Sequence, residues 1–129
     1  MPIVNQLLRD GRVILQTYTD PLDMIELIKN AQTLQHDFLD HATKRVHTIT
    51  DATGVTKLPT NLLSGGAASV KNVHPMSGEI VIVTSNNFIN TMSSLFGKIV
   101  PQYKVTVWKT MEDGWAEIDR ILAREDASS

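Results

Sequence analysis

Glu79-Ile80-Val81-Ile82-Val83-Thr84, running into Ser85-Asn86-Asn87, is the stretch that decides the fold class. Four consecutive β-branched apolar residues leave neither face of a strand for water. Such runs suit strands covered on both sides, as in a parallel sheet. The Ser-Asn-Asn that follows offers side-chain oxygens to the free N–H groups of a helix start. Phe88, Ile89, Met92, Leu95 and Phe96 then recur at helical spacing, with Gly97 expected at the C′ position. A buried strand feeding an amphipathic helix is half of a βαβ unit, so a largely parallel sheet joined by helices is expected.

Toward the C-terminus, Tyr103–Lys109 alternates Tyr103, Val105 and Val107 with Lys104, Thr106 and Trp108, as a partly exposed strand does. Thr110, with Asp113 at N3, announces a last helix on which Met111, Trp115, Ile118 and Leu122 share a face. Glu125–Ser129 reads as a polar tail, and the tryptophans as core residues or half-buried anchors.

Toward the N-terminus, Ile3–Arg9 and Arg12–Thr19 flank Asp10-Gly11, a hairpin signal because both turn positions tolerate positive φ. Asp20 as N-cap, Pro21 at N1 and Asp23 at N3 predict a helix ending near Asp40–Thr43. Its apolar face carries Met24, Leu27, Ile28, Ala31, Leu34 and Phe38; Glu26, Lys29, Asn30, Thr33 and Asp37 lie opposite. Val46–Asp51 reads as a strand with a turn at Thr53-Gly54. Pro59 then breaks the strand, and Thr60 or Asn61 caps a second helix to about Lys71. Gly65-Gly66 lets that helix lie close to a sheet or interrupts it. The predicted order is ββαβαβαβα: one α/β domain over residues 1–129, with a mostly parallel sheet, an N-terminal β-hairpin and four helices.

With 129 residues, 42% of them hydrophobic and 20% charged, the chain has enough material for one core and none of the signs of disorder. The absence of cysteine excludes disulfides, thiolate nucleophiles and zinc–thiolate sites. The net charge of −2 is spread along the chain and forms no basic stripe, so no nucleic-acid partner is expected. The Ile80–Val83 run is far below the ~20 residues that span a bilayer. Met1-Pro2-Ile3-Val4-Asn5-Gln6 lacks a basic, then long apolar, leader. No membrane span and a cytoplasmic location are the expectations.

The element order resembles that of the STAS family, the SpoIIAA-like anti-sigma-factor antagonists. Members run from their third strand into a helix through a pattern like Asp-Leu-Ser-Gly-Val-Thr-Phe-Ile-Asp-Ser-Ser-Gly-Leu. Here that stretch is Asp51-Ala52-Thr53-Gly54-Val55-Thr56-Lys57-Leu58-Pro59-Thr60-Asn61-Leu62-Leu63. Asp51, Gly54, Val55 and Thr56 match, and Thr53 is a conservative match. Phospho-regulated members accept phosphate on the second serine of Asp-Ser-Ser-Gly. Asn61 stands in its place, Pro59 replaces the acid, Leu62 replaces the glycine, and Thr60 is the adjacent hydroxyl. The resemblance implies a STAS-like fold, a bacterial regulatory role through protein–protein contact, and no phosphoserine switch.

Nothing in the chain spells out catalysis. His36 with Asp40, and Asp37 with His41, have i, i+4 spacing that places two ligands together, but no third ligand accompanies them, and neither metal nor cofactor is expected. His47, on a strand, reads as a core-edge or surface histidine. Ser64-Gly65-Gly66 lacks the ending of a phosphate-cradling loop, and no serine sits in a nucleophile elbow. An enzyme is therefore not expected. Phe88, Ile89, Met92, Leu95 and Phe96 make their helix apolar on more than one side. Either the domain buries it entirely, or part of it meets a second copy, a protein partner or an apolar ligand. Two functions follow: a self-associating, homodimeric interaction module, or a carrier of a lipid-like molecule between sheet and helices.

Overall fold

The computed structural model describes residues 3–59, 74–99 and 104–128. Strands β1 (Ile3–Leu8) and β2 (Val13–Thr19) form the expected antiparallel hairpin, with Leu8 opposite Val13. Its loop is longer than a two-residue turn. Arg9, Asp10 and Gly11 all have positive φ (54°, 57° and 83°), and the Gly11 N–H donates to the Leu8 carbonyl.

Strands β3 (Val46–Gly54), β4 (Ser77–Val83) and β5 (Val105–Trp108) complete a five-stranded sheet in the order β1-β2-β3-β4-β5. Every pair after the hairpin is parallel. The chain is thus α/β with a mostly parallel sheet. β3 continues through Thr53-Gly54, where a turn was expected, because Gly54 pairs with Thr19 after a register shift.

The described residues contain three α-helices: α1 (Met24–Thr33), α2 (Asn87–Ile99) and α3 (Met111–Ser128). The predicted helix from Thr60 or Asn61 to Lys71 lies outside the described residues. So do Thr60, Asn61 and Ser64-Gly65-Gly66.

Capping explains the helix starts, with one correction. Asp23, not Asp20, caps α1: its backbone is extended and its carboxylate accepts the Glu26 N–H at 2.8 Å. The Asp20 carboxylate is engaged elsewhere, accepting from the Thr56 hydroxyl at 2.5 Å and the Thr56 N–H at 3.1 Å. These bonds also hold its carboxyl below the usual range. Asn86 caps α2 by accepting from the Ile89 N–H, and Thr110 caps α3 by accepting from the Asp113 N–H. After α1 the chain stays helical through a π turn (Leu34–Phe38) and a 3₁₀ turn (Leu39–His41), near the predicted end.

Two C-terminal expectations are also corrected. α2 runs two residues past Gly97, which is therefore an internal helix residue. A helix tolerates one such glycine at a cost of about 1 kcal/mol. Glu125–Ser128 is the last turn of α3, not a tail, because Glu125 is anchored to Arg12, Arg45 and His47.

The sheet has a different covering on each face. On one, α3 brings Ile118, Ile121 and Leu122 against Val13, Ile49, Val81 and Val83. Trp108 and Trp115 are half-buried anchors at this core, beneath Arg120 and Arg9 respectively. Gly114 allows the close approach: a Cβ there would lie 2.6 Å from Val83 Cγ2. On the opposite face, α1 and α2 join a smaller cluster of Ile3, Leu22, Ala52, Val55 and Ile89.

Candidate functional site

The second face carries a half-open cavity of about 470 Å³. Its floor is set by strand alternation: Ile14 and Gln16 from β2, Thr48 and Thr50 from β3, Ile80 and Ile82 from β4. Their sequence neighbours Val13, Ile49 and Val81 point the other way, into the α3 core. Ile89 and Ser93 of α2 contribute one wall.

The roof is α1, and its burial is unusual for an amphipathic helix. Met24, Leu27, Ile28, Ala31 and Leu34 form the apolar stripe the spacing predicts, yet all five are only half-buried. All five line the cavity, and Leu27 also packs against the smaller cluster. The buried residue of α1 is polar: Asn30, 9% exposed, which the sequence pattern had placed on the outer face.

Asn30 is buried because it belongs to a chain of amides. Asn5 Nδ2 donates to Asn30 Oδ1 at 2.6 Å, and Asn30 Nδ2 donates to Gln16 Oε1 at 3.2 Å. The Tyr18 hydroxyl donates to the same Gln16 oxygen at 2.7 Å. Burial pushes the Tyr18 hydroxyl well above its ordinary pKa, as a dry site does. Gln16, Tyr18 and Asn30 all line the cavity.

His74 lies at another part of the lining. Its Nε2 is 2.8 Å from Asp40 Oδ1, and its Nδ1 accepts the Met76 N–H. Asp40 also faces His36, at 3.5 Å, so the i, i+4 pair does form. Among the described residues no group of three His, Asp or Glu side chains is arranged to hold a metal ion.

A second polar cluster sits at the N-terminal ends of the parallel strands. His47, expected at the core edge or surface, is fully buried. Its Nδ1 accepts the Glu79 N–H at 2.9 Å, so the ring proton sits on Nε2 and donates to Glu125 Oε1 at 2.8 Å. Glu125 also meets Arg12 at 3.2 Å and Arg45 at 3.5 Å. Both ring nitrogens of His47, like both of His74, are therefore engaged, and neither has a free lone pair for proton transfer. This cluster fastens α3 to the sheet.

Glu125 makes that fastening pH-dependent. Burial pushes its carboxyl up, but hydrogen bonds from His47 and Arg12 and the Arg45 charge outweigh burial and hold it below its ordinary value. A depressed folded-state pKa means the contribution is fully present above the unfolded value of 4.5 and is lost as pH falls through the folded one. Urea midpoints measured from about pH 6 to about pH 3 should therefore fall for the wild type. Glu125→Gln should lose less over the same interval, because it has no proton to take up there.

The site residues named from sequence fare unevenly. Asp51 lies in β3, where its carboxylate accepts the Thr53 N–H and hydroxyl. In α2, Ile89 is fully buried and lines the cavity, whereas Leu95 is 37% exposed. The two therefore do not share one surface. The side chains of Phe88, Met92 and Phe96 lie outside the described residues. Sequence reasoning missed the cavity residues of α1, β2 and β3. Their only local signal is the polar Gln16, Thr48 and Thr50 at alternate positions of β2 and β3.

Compared with protein-family models and with curated proteins, the chain finds no match. No helix among the described residues is long and apolar enough to cross a membrane.

Proposed function

We propose that this domain is a non-catalytic binding domain that holds an apolar small molecule between its sheet and α1. The observation that carries the reading is the half-buried apolar stripe of α1 facing the cavity. An amphipathic helix normally gains stability by burying that stripe, at roughly 25 cal/mol per Å². Here the gain is incomplete, and a ligand supplies the missing apolar contact. A volume of about 470 Å³ is within the ~300–1,000 Å³ of small-molecule sites.

The test is binding of a neutral fluorescent molecule, N-phenylnaphthylamine, to wild type and to Thr48→Phe. Thr48 stands on the cavity floor in the middle of the sheet, so a phenyl ring there fills the void without displacing the α3 core. Dye binding should weaken at least tenfold, with the circular dichroism spectrum retained. A wild type that does not bind the dye overturns the reading.

A second reading is a STAS-like interaction module that lacks the phosphoserine switch and self-associates as a cytoplasmic homodimer through α2. It is supported by the exposure of Leu95 on a helix whose other face buries Ile89, and by the antiparallel hairpin leading a parallel sheet. It predicts twice the chain mass in light scattering at high micromolar concentration. A monomer there removes it.

A further inference from the structure

We propose that β1 is the surface through which a second copy of this chain docks, the two β1 strands pairing antiparallel about a two-fold axis at Gln6 so that the two sheets become one.

The edge itself sets the kind of partner. β1 is an outer strand of the sheet, and among the described residues it pairs with β2 alone. Backbone N–H and C=O groups on its other side point outward, a row that another strand satisfies in series. Protein edges are ordinarily blunted by lysine, proline or a bulge. Ile3-Val4-Asn5-Gln6-Leu7-Leu8 has no charge and no proline, and its register with β2 is unbroken. It also carries Val4, Leu7 and Leu8, at 47, 46 and 37% exposure. These are three of the five large apolar side chains exposed among the described residues, and such a concentration marks a contact surface.

Symmetry and the opposite edge single out a second copy. A two-fold axis perpendicular to the sheet keeps each face on its own side, so every residue meets one from the same face. Ile3 and Asn5 lie on the α1 face, where Ile3 joins the smaller cluster and Asn5 bonds Asn30. Val4, Gln6 and Leu8 alternate with them onto the α3 face. With Gln6 opposite its own counterpart, Val4 meets Leu8 of the second copy and Leu8 meets Val4, so both exposed apolar residues of that face are covered twice over. An axis at Asn5 would instead set Val4 against Gln6 and carry Leu8 past the first residue of the other β1. The far edge offers no such match. β5 is only Val105–Trp108, with Lys104 and Lys109 on either side. Pairing β1 with β5 would also repeat head to tail without end, whereas β1 on β1 closes. A contact one strand long belongs to the small interfaces, below ~1,200 Å², that form transiently, so association is expected at micromolar concentration.

The experiment uses the full chain, whose lack of cysteine makes single-cysteine variants unambiguous. Light scattering at high micromolar concentration should give twice the chain mass for wild type and for Leu95→Asp on α2. Leu8→Lys should weaken association at least tenfold with its circular dichroism spectrum retained, because Leu8 is exposed in the single chain. Mild oxidation reads the register. Gln6→Cys should form a covalent dimer, since directly opposed residues lie ~4.5–5.5 Å apart at Cα, within the ~4.4–6.8 Å that a disulfide spans. Val4→Cys and Leu8→Cys, each about 13 Å along the strand from its own counterpart, should not. A monomeric wild type overturns the proposal. So does a dimer indifferent to Leu8→Lys, a dimer lost in Leu95→Asp, or crosslinking of Gln6→Cys no stronger than that of Val4→Cys and Leu8→Cys.

Discussion

Replacing His47 by leucine will lower unfolding free energy by about 2–4 kcal/mol, although leucine is apolar and the site is fully buried. Two losses add. The Glu79 N–H, which donates to His47 Nδ1 at 2.9 Å, is left without a partner inside the protein, at ~1–3 kcal/mol. The bond from Nε2 to the Glu125 carboxylate also disappears, and bonds to charged groups contribute ~1.5–3 kcal/mol. The sum is discounted because Glu125 is 26% exposed and keeps Arg12 and Arg45. At roughly 3–5 °C per kcal/mol for a chain of this size, the melting temperature should fall by about 10 °C. A change below about 0.5 kcal/mol would show that the buried imidazole has no structural part in fastening α3.

Gly78→Ala should cost about 3 kcal/mol, the upper end of the overpacking range. A Cβ at Gly78 would stand 2.3 Å from His47 Nδ1, 2.7 Å from Cε1 and 2.9 Å from Cγ. Carbon atoms in contact prefer about 3.5–4.0 Å. The ring cannot rotate away cheaply, since it is hydrogen-bonded at both nitrogens. Gly78 is therefore required by the neighbouring ring. A double-mutant cycle separates this from any loss intrinsic to the strand: in a His47→Ala background the Gly78→Ala cost should fall by more than half. An unchanged cost would place the strain elsewhere.

What the sequence revealed was what depends on near neighbours. The Asp10-Gly11 hairpin, the Ile80–Val83 strand and the Thr110 cap each follow from residues within a few positions, and each forms. The parallel sheet follows from their alternation with helices. Errors arose where a distant residue captured a local signal. Asp20 is a good N-cap by type, but Thr56, 36 positions away, takes its carboxylate. Glu125 looked like part of a polar tail because its partner His47 is 78 positions away.

The candidate site was legible only in kind. Periodicity identifies the apolar stripe of α1, but a stripe pressed on a sheet and a stripe held off from it have the same spacing. Asn30 seemed a surface residue because its partners, Asn5 and Gln16, are 25 and 14 positions away. A ligand space between sheet and helices was anticipated around Phe88, Met92 and Phe96. Among the described residues the lining is drawn from α1 and the strands, with Ile89 and Ser93 from α2, and the side chains of Phe88, Met92 and Phe96 lie outside the described residues.

The central claim is that the cavity face, and not the α3 face, receives an apolar molecule. Methyl resonances of the full chain report both faces in one titration with N-phenylnaphthylamine. The account predicts saturable shifts at Leu27, Ile80 and Ile82, which line the cavity, and little change at Val81, Ile118 and Ile121 behind the sheet. Shifts confined to the α3 face, or none at saturating dye, would contradict it.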